Sequence, residues 1–96
     1  MIDGKGIKAI ISKFMSEPDV RGVLICDTDG LPIGRSKELS INAAEAVAAY
    51  ITSLIGRSRA VTEALGEGEL NFLRIESESG EIMIAPQEDL ILIVLK

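Results

Sequence analysis

The sequence predicts an α+β domain of order α-β-β-α-β-β-β, a five-stranded antiparallel sheet between two helices. Three observations predict it. Two apolar stretches, residues 20–26 and 31–35, flank the tight turn Asp27-Thr28-Asp29-Gly30. One long helical segment, residues 40–65, follows them. Three more short strands, residues 70–76, 82–85 and 90–95, then fill the chain to Lys96.

Each element has its own signal. Ile7, Ile10, Ile11 and Phe14 fall at i, i+3, i+4 and i+7, the spacing of a helix with one apolar face. Asp3 can cap it, and the residue before Pro18 avoids the helical region and ends it. Residues 20–26 are β-branched and apolar on both faces, as in a central strand. Gly30 supplies positive φ to the turn. The next strand carries Pro32 and Gly34, and proline cannot donate to a ladder, so that strand belongs at an edge. Ser40 caps the long helix and Gly66 ends it. Its repeat of Val47, Ile51, Leu54, Ser58, Val61 and Leu65 is expected to face the sheet. A second shoulder, Ala44, Ala48, Ile55 and Thr62, lies roughly 60–100° around the helix. These small residues either serve helix propensity alone or let another helix approach closely. The turn Ser77-Glu78-Ser79-Gly80 joins the third and fourth strands. Residues 90–95 are apolar on both faces, which places that strand centrally.

Ninety-six residues make a single domain, 1–96. A chain of this length buries only about 60–70% of its unfolded surface, so its core is modest. Yet 47% of its residues are hydrophobic and only three are aromatic. Some of that apolar surface is therefore expected between subunits. Fifteen acids against ten bases give a net charge of −5, which argues against nucleic acid as a partner. The single cysteine, Cys26, sits in an apolar strand and reads as a small buried hydrophobe, with no histidine anywhere to activate it. One cysteine forms no internal disulfide, which fits a reducing, cytoplasmic setting. No signal peptide is visible, and the longest apolar run, residues 90–95, is too short for direct membrane insertion. Any peripheral membrane contact is expected through partners.

Asp27 and Asp29 raise the sharpest enzymatic alternative. An apolar strand ending in Asp-x-Asp-Gly resembles the first motif of the haloacid-dehalogenase phosphatases, a magnesium-dependent family. There the first Asp is the nucleophile and the second the acid/base. Here the following strand begins at once, making a hairpin where that chemistry needs a crossover to a parallel strand. The spacing also lacks the ligands of an EF-hand loop. Without histidine there is no Ser–His or Cys–His dyad. The expectation is therefore no enzyme, no catalytic residue, no metal site and no cofactor, with Asp27 and Asp29 serving the turn.

The run Gly22-Val23-Leu24-Ile25-Cys26-Asp27-Thr28-Asp29-Gly30-Leu31-Pro32-Ile33-Gly34, the Ala-rich long helix and residues 72–95 resemble the Roadblock/dynein light chain superfamily. The likeness spans nearly the whole chain. It is to the compact form without a third helix, as in prokaryotic roadblock proteins and the small roadblock subunit of the Ragulator scaffold. It implies a roadblock/profilin-like fold and a non-enzymatic dimeric scaffold or regulator. Such a platform binds small Ras-like GTPases or assembles their regulatory complex. A purely architectural adaptor in a motor, motility or trafficking complex is the alternative. The implied partners are itself, as a homodimer, or another roadblock protein. In the family the third strands pair into a continuous sheet and the long helices pack side by side. If the strand order is two–one–five–four–three, the residues point the same way: strand two is blunted by Pro32 and Gly34, whereas strand three is an open edge. The expected dimer interface is Ala44, Ala48, Ile51 and Ile55 on the helix with Leu70, Phe72 and Arg74 on the strand. The other face has only the short helix to cover it. One helix is about 10 Å across, and five strands at about 4.8 Å span more than twice that. Ile7, Ile10, Ile11 and Phe14 therefore mark the expected partner-binding side.

Overall fold

The computed structural model describes residues 3–96. Helix α1 spans Gly4–Met15, and Asp3 caps it by accepting the Gly6 N–H at 2.9 Å. Strand β1 is Gly22–Asp27, β2 is Pro32–Arg35, and α2 is Ile41–Ala64. Strands β3 (Leu73–Ser77), β4 (Gly80–Pro86) and β5 (Leu90–Leu95) complete the chain. Every pairing is antiparallel, in the order β2-β1-β5-β4-β3. No helix among the described residues is long and apolar enough to cross a membrane.

β1 is covered by α2 on one face and by α1 on the other, so Val23, Leu24, Ile25 and Cys26 are at most 1% exposed. Leu24 stands opposite Ile93, and Ile93 opposite Ile84, which carries one apolar row across the sheet beneath α2. On the other face Val23 and Val94 are opposed, and Val20, Ile11, Phe14 and Met15 pack over them. Ser36 is the buried polar exception: its hydroxyl accepts the Val23 N–H at 3.0 Å, so the burial leaves no orphan donor. β2 is an edge, as its proline requires. Its register with β1 shifts at Ile33, a bulge that blunts that edge further.

Several expected boundaries and one face are corrected. β1 starts at Gly22 and not at residue 20, because Gly22 faces Leu95, the last residue of β5. β4 is longer than expected at both ends. β3 begins at Leu73, three residues late. Continuing its register would set Asn71 against Pro86, which has no N–H to give. The largest correction concerns α2. Its sheet-facing residues are Ala44, Ala48, Ile51 and Ile55, at 0–6% exposure, so the residues expected at a dimer interface are inside the protomer. Of the stripe expected to face the sheet, Ile51 does so, Val47, Leu54 and Ser58 are half-buried, and Val61 and Leu65 are exposed. The physical reason is close approach. Small side chains let the helix settle on the β1–β2 end, where Thr52 and the Ala48 carbonyl crowd Gly30, itself at φ +88°.

Candidate interaction surfaces

The Asp27–Gly30 turn is built by its first carboxylate. Asp27 Oδ1 accepts the N–H of Asp29 at 3.0 Å and that of Leu31 at 2.9 Å, and the Gly30 N–H donates to the Asp27 carbonyl. That accounts for Asp27 as a turn residue. Among the described residues, no three His, Cys, Asp or Glu side chains are grouped to hold a metal. Beside the turn, Cys26 is buried. Its thiol is pushed from 9.0 up to about 11, first by burial and then by the Asp27 charge, against a smaller opposing hydrogen bond with Thr52. Such a thiol is protonated at neutral pH and is not a nucleophile.

α1 contacts β1 and β2, and so sits off-centre on its face of the sheet. Ile7 is pressed against Gly34 and buried, which corrects its expected place at a partner surface. Ile10 and Ile11 are half-buried. Of the four α1 residues expected to meet a partner, Phe14 alone lines the uncovered remainder. That remainder is an apolar groove of about 300 Å³ between Phe14, Phe72, Met83, Ala85, Leu92 and Val94, rimmed by Glu17 and Lys96. Its strand residues were not singled out from sequence. Met83, Ala85, Leu92 and Val94 alternate along β4 and β5, and that alternation was the available signal. A second, polar cleft of about 980 Å³ opens between the end of α2, the α2–β3 connection and the β4–β5 turn. Arg59 there is outnumbered by Glu63, Glu69 and Glu88.

The β3 edge can be read atom by atom. Glu81 and Lys96 exchange both backbone hydrogen bonds, at 3.0 and 2.8 Å, so Glu81, Met83 and Ala85 direct their backbone groups to β5. Gly80, Ile82 and Ile84 then bond to β3, and their partners there are Ser77, Ile75 and Leu73. Arg74 and Glu76 are left with N–H and C=O pointing out of the sheet. Leu73 and Ile75 pack under α2, so Phe72, Arg74 and Glu76 lie on the α1 face. Arg74 Nε donates to Glu81 Oε2 at 2.7 Å and also pairs with Glu76. Of the expected strand residues of the interface, Arg74 is on this edge, whereas Leu70 and Phe72 precede it in the connection. Phe72 is 46% exposed.

Thr52 touches Gly30 at the β1–β2 turn, so the opposite flank of α2 points toward the β3 end of the sheet. That flank carries Val47, Tyr50, Leu54, Val61 and Leu65, of which Tyr50 is 76% exposed. An apolar helix flank and an open strand edge thus lie on one side of the protomer.

Comparison with known proteins agrees with this architecture. The sequence profile of the Roadblock/LC7 domain family matches residues 6–96. Among solved structures, MglB of Myxococcus xanthus superposes with a TM-score of 0.87 at 14% identity, over 98% of this chain and 77% of that one. The gliding protein MglB of Thermus thermophilus gives 0.82 at 14% identity, over 99% and 75%. A Roadblock/LC7 domain from Streptomyces avermitilis gives 0.82 at 20% identity, over 91% and 74%.

Proposed function

We propose, on the premise that this chain belongs to the Roadblock/LC7 domain family, that it is a non-catalytic dimeric platform in the cytoplasm for a small Ras-like GTPase or that GTPase's regulatory complex. The observation that carries the reading is the coincidence of the open β3 edge with the apolar flank of α2. Unpaired backbone groups beside exposed apolar surface invite a strand and a helix from another protomer. Phe72 and Arg74 keep their expected interface role. On α2 the contact passes from the buried alanines to Tyr50, Val61 and Leu65. The groove beside Phe14 supports a second contact, to the partner, on the opposite face.

Sedimentation at tens of micromolar is expected to give a dimer, and Phe72→Pro is expected to weaken it. Co-purification with mass spectrometry identifies the partner, and hydrogen exchange of that complex is expected to protect Phe14 together with β4 and β5. Binding that depends on the bound nucleotide supports the regulator. Binding indifferent to it leaves the architectural adaptor. A clean monomer, or protection confined to α2, refutes the reading.

A further inference from the structure

We propose that the outward face of α1 is a docking surface for an anionic lipid bilayer, whose headgroups Lys5, Lys8 and Lys13 engage without insertion. The inference goes beyond the reading above and rests on it only where a dimer doubles the contact.

Charge in this protein is segregated. α1 carries three of the ten bases and none of the fifteen acids, although the chain as a whole stands at −5. At about 100° per residue, Lys5, Lys8, Ala9, Ser12 and Lys13 all lie on the side of the helix away from Ile7. All five are exposed, whereas Ile7 is pressed into the sheet. Among the described residues, none of the three lysines is in an ion pair. The acids on this side of the sheet are engaged elsewhere. Asp3 caps the helix, Asp19 lies 3.7 Å from Lys96, and Glu76 and Glu81 pair with Arg74. Glu17, at the groove rim, is the exception.

Layering adds to the segregation. α1 rides on the sheet, so its outer face stands roughly 10 Å above the strands that carry Arg74, Glu76, Glu81 and Lys96. The exposed acids of α2, Glu45 and Glu63, lie roughly 20 Å away, on the far side of the sheet. The Debye length at physiological salt is about 8 Å, so a surface approaching α1 meets the lysines first and the other charges through screening.

The composition of the face selects what it fits. Between the lysines stand only Ala9 and Ser12, with no aromatic or large aliphatic side chain to anchor in a protein partner. A layer of anionic headgroups needs only cations on flexible stems. Lys5 and Lys13 are eight residues apart, about 12 Å along the axis, so the three spread over a patch of that layer. The apolar side of α1 is already packed on the sheet, so the helix lies on the bilayer and not in it. A dimer about an axis normal to the sheet sets both α1 helices on one side and both α2 helices on the other. The bilayer then meets six lysines, and the α2 face stays turned to water. Each lysine near an anionic surface strengthens binding about fivefold, so three give about a hundredfold and six about ten-thousandfold.

The test is sedimentation of the full chain with vesicles of phosphatidylcholine alone, or with about one-third phosphatidylserine. Binding is expected to the anionic vesicles only, and to be lost at about 0.5 M salt. Lys8→Gln is expected to weaken it about fivefold for a monomer and about thirtyfold for a dimer, which loses two lysines. Lys5→Gln, Lys8→Gln and Lys13→Gln together are expected to abolish binding, and the same three changes to Arg to keep it. Circular dichroism checks that both triple variants are folded. A fivefold loss, with a monomer in the ultracentrifuge, refutes the dimeric reading and leaves the lipid contact standing. Equal binding to both vesicles, binding to neither, or binding that the triple Gln variant retains overturns the proposal. So does retention on polyglutamate without vesicle binding, which assigns the face to an acidic protein.

Discussion

Gly34→Ala puts the seating of α1 on β2 to a direct test. A methyl group built on Gly34 lies 2.3 Å from Ile7 Cγ2 and 3.0 Å from Ile11 Cδ1. Carbon atoms in contact prefer about 3.5–4.0 Å, so α1 must retreat by roughly 1 Å or more. Ile7 cannot turn aside, being β-branched in a helix and 5% exposed. Overpacking of this kind costs about 1–3 kcal/mol. For a domain of this size each kcal/mol lowers Tm by about 4–8 °C, so a loss of roughly 5–20 °C is expected. The assay is thermal unfolding by circular dichroism at one protein concentration, because association raises apparent stability. The clash predicts a favourable coupling. Ile7→Ala alone costs about 2–5 kcal/mol, but in the double variant the new methyl enters the vacated space. The double variant is therefore expected to be more stable than the summed effects imply by about 0.5–3 kcal/mol. A Gly34→Ala protein within about 0.5 kcal/mol of wild type, or strict additivity in the cycle, would refute the packing argument.

Three other outcomes are expected. Ser36→Ala strips the buried Val23 N–H of its hydroxyl acceptor and is expected to cost about 1–3 kcal/mol in urea unfolding. Asp27→Asn keeps an acceptor oxygen for the Asp29 and Leu31 N–H groups and is expected to be tolerated, whereas Asp27→Ala loses both bonds and about 1–2 kcal/mol; magnesium is expected to leave Tm unchanged in all three proteins. Cys26 is expected to resist a thiol reagent until the chain unfolds. With its folded pKa raised from 9.0 to about 11, the unfolded chain ionises first, so its contribution to stability is complete below pH 9.0 and is lost as pH rises toward about 11; Cys26→Ala is expected to flatten that part of the profile.

The edge position of β2, the central position of β5 and the turn role of Asp27 were legible because each follows from a local rule. Pro32 cannot donate inside a sheet, and residues 90–95 have no polar face to show to water. The α2 face was not legible, for a physical reason. Its apolar residues cover about half the circumference, and periodicity ranks them by size, which favours Val47, Leu54, Val61 and Leu65. Helix–sheet distance instead ranks them by smallness where backbones come close, which favours Ala44 and Ala48. Nothing in the local sequence announces that the Gly30 turn crowds the helix there. The β3 boundary failed similarly, because Pro86, the residue that cuts the ladder short, lies on the other strand of the pair. The groove was anticipated as an uncovered face but assigned to α1, although strand residues form most of its lining.

The proposed self-association and the proposed partner contact meet at one pair of residues. Arg74, on the open β3 edge, stands directly opposite Met83, which lines the groove. Phe72, two residues along on the same face, lines it too. A two-fold axis normal to the sheet leaves both α2 helices on one face and both grooves on the other, separated by the Arg74, Glu76 and Glu81 charges. On the proposed reading, a partner seated against Phe72 and Met83 would order the strand pair that presents Arg74, and pairing at the β3 edge would order the floor of the groove. Linkage then requires each event to favour the other by the same factor. The dimer dissociation constant, measured with and without the saturating GTPase partner identified above, is expected to fall about fivefold or more on binding, the lower range of a coupling free energy. Glu76→Arg, on the β3 edge but outside the groove, is expected to weaken the dimer and, in the same proportion, partner affinity. Equal dimer affinities with and without partner would mean that the two surfaces are independent, and that the contact between Arg74 and Met83 carries no signal between them.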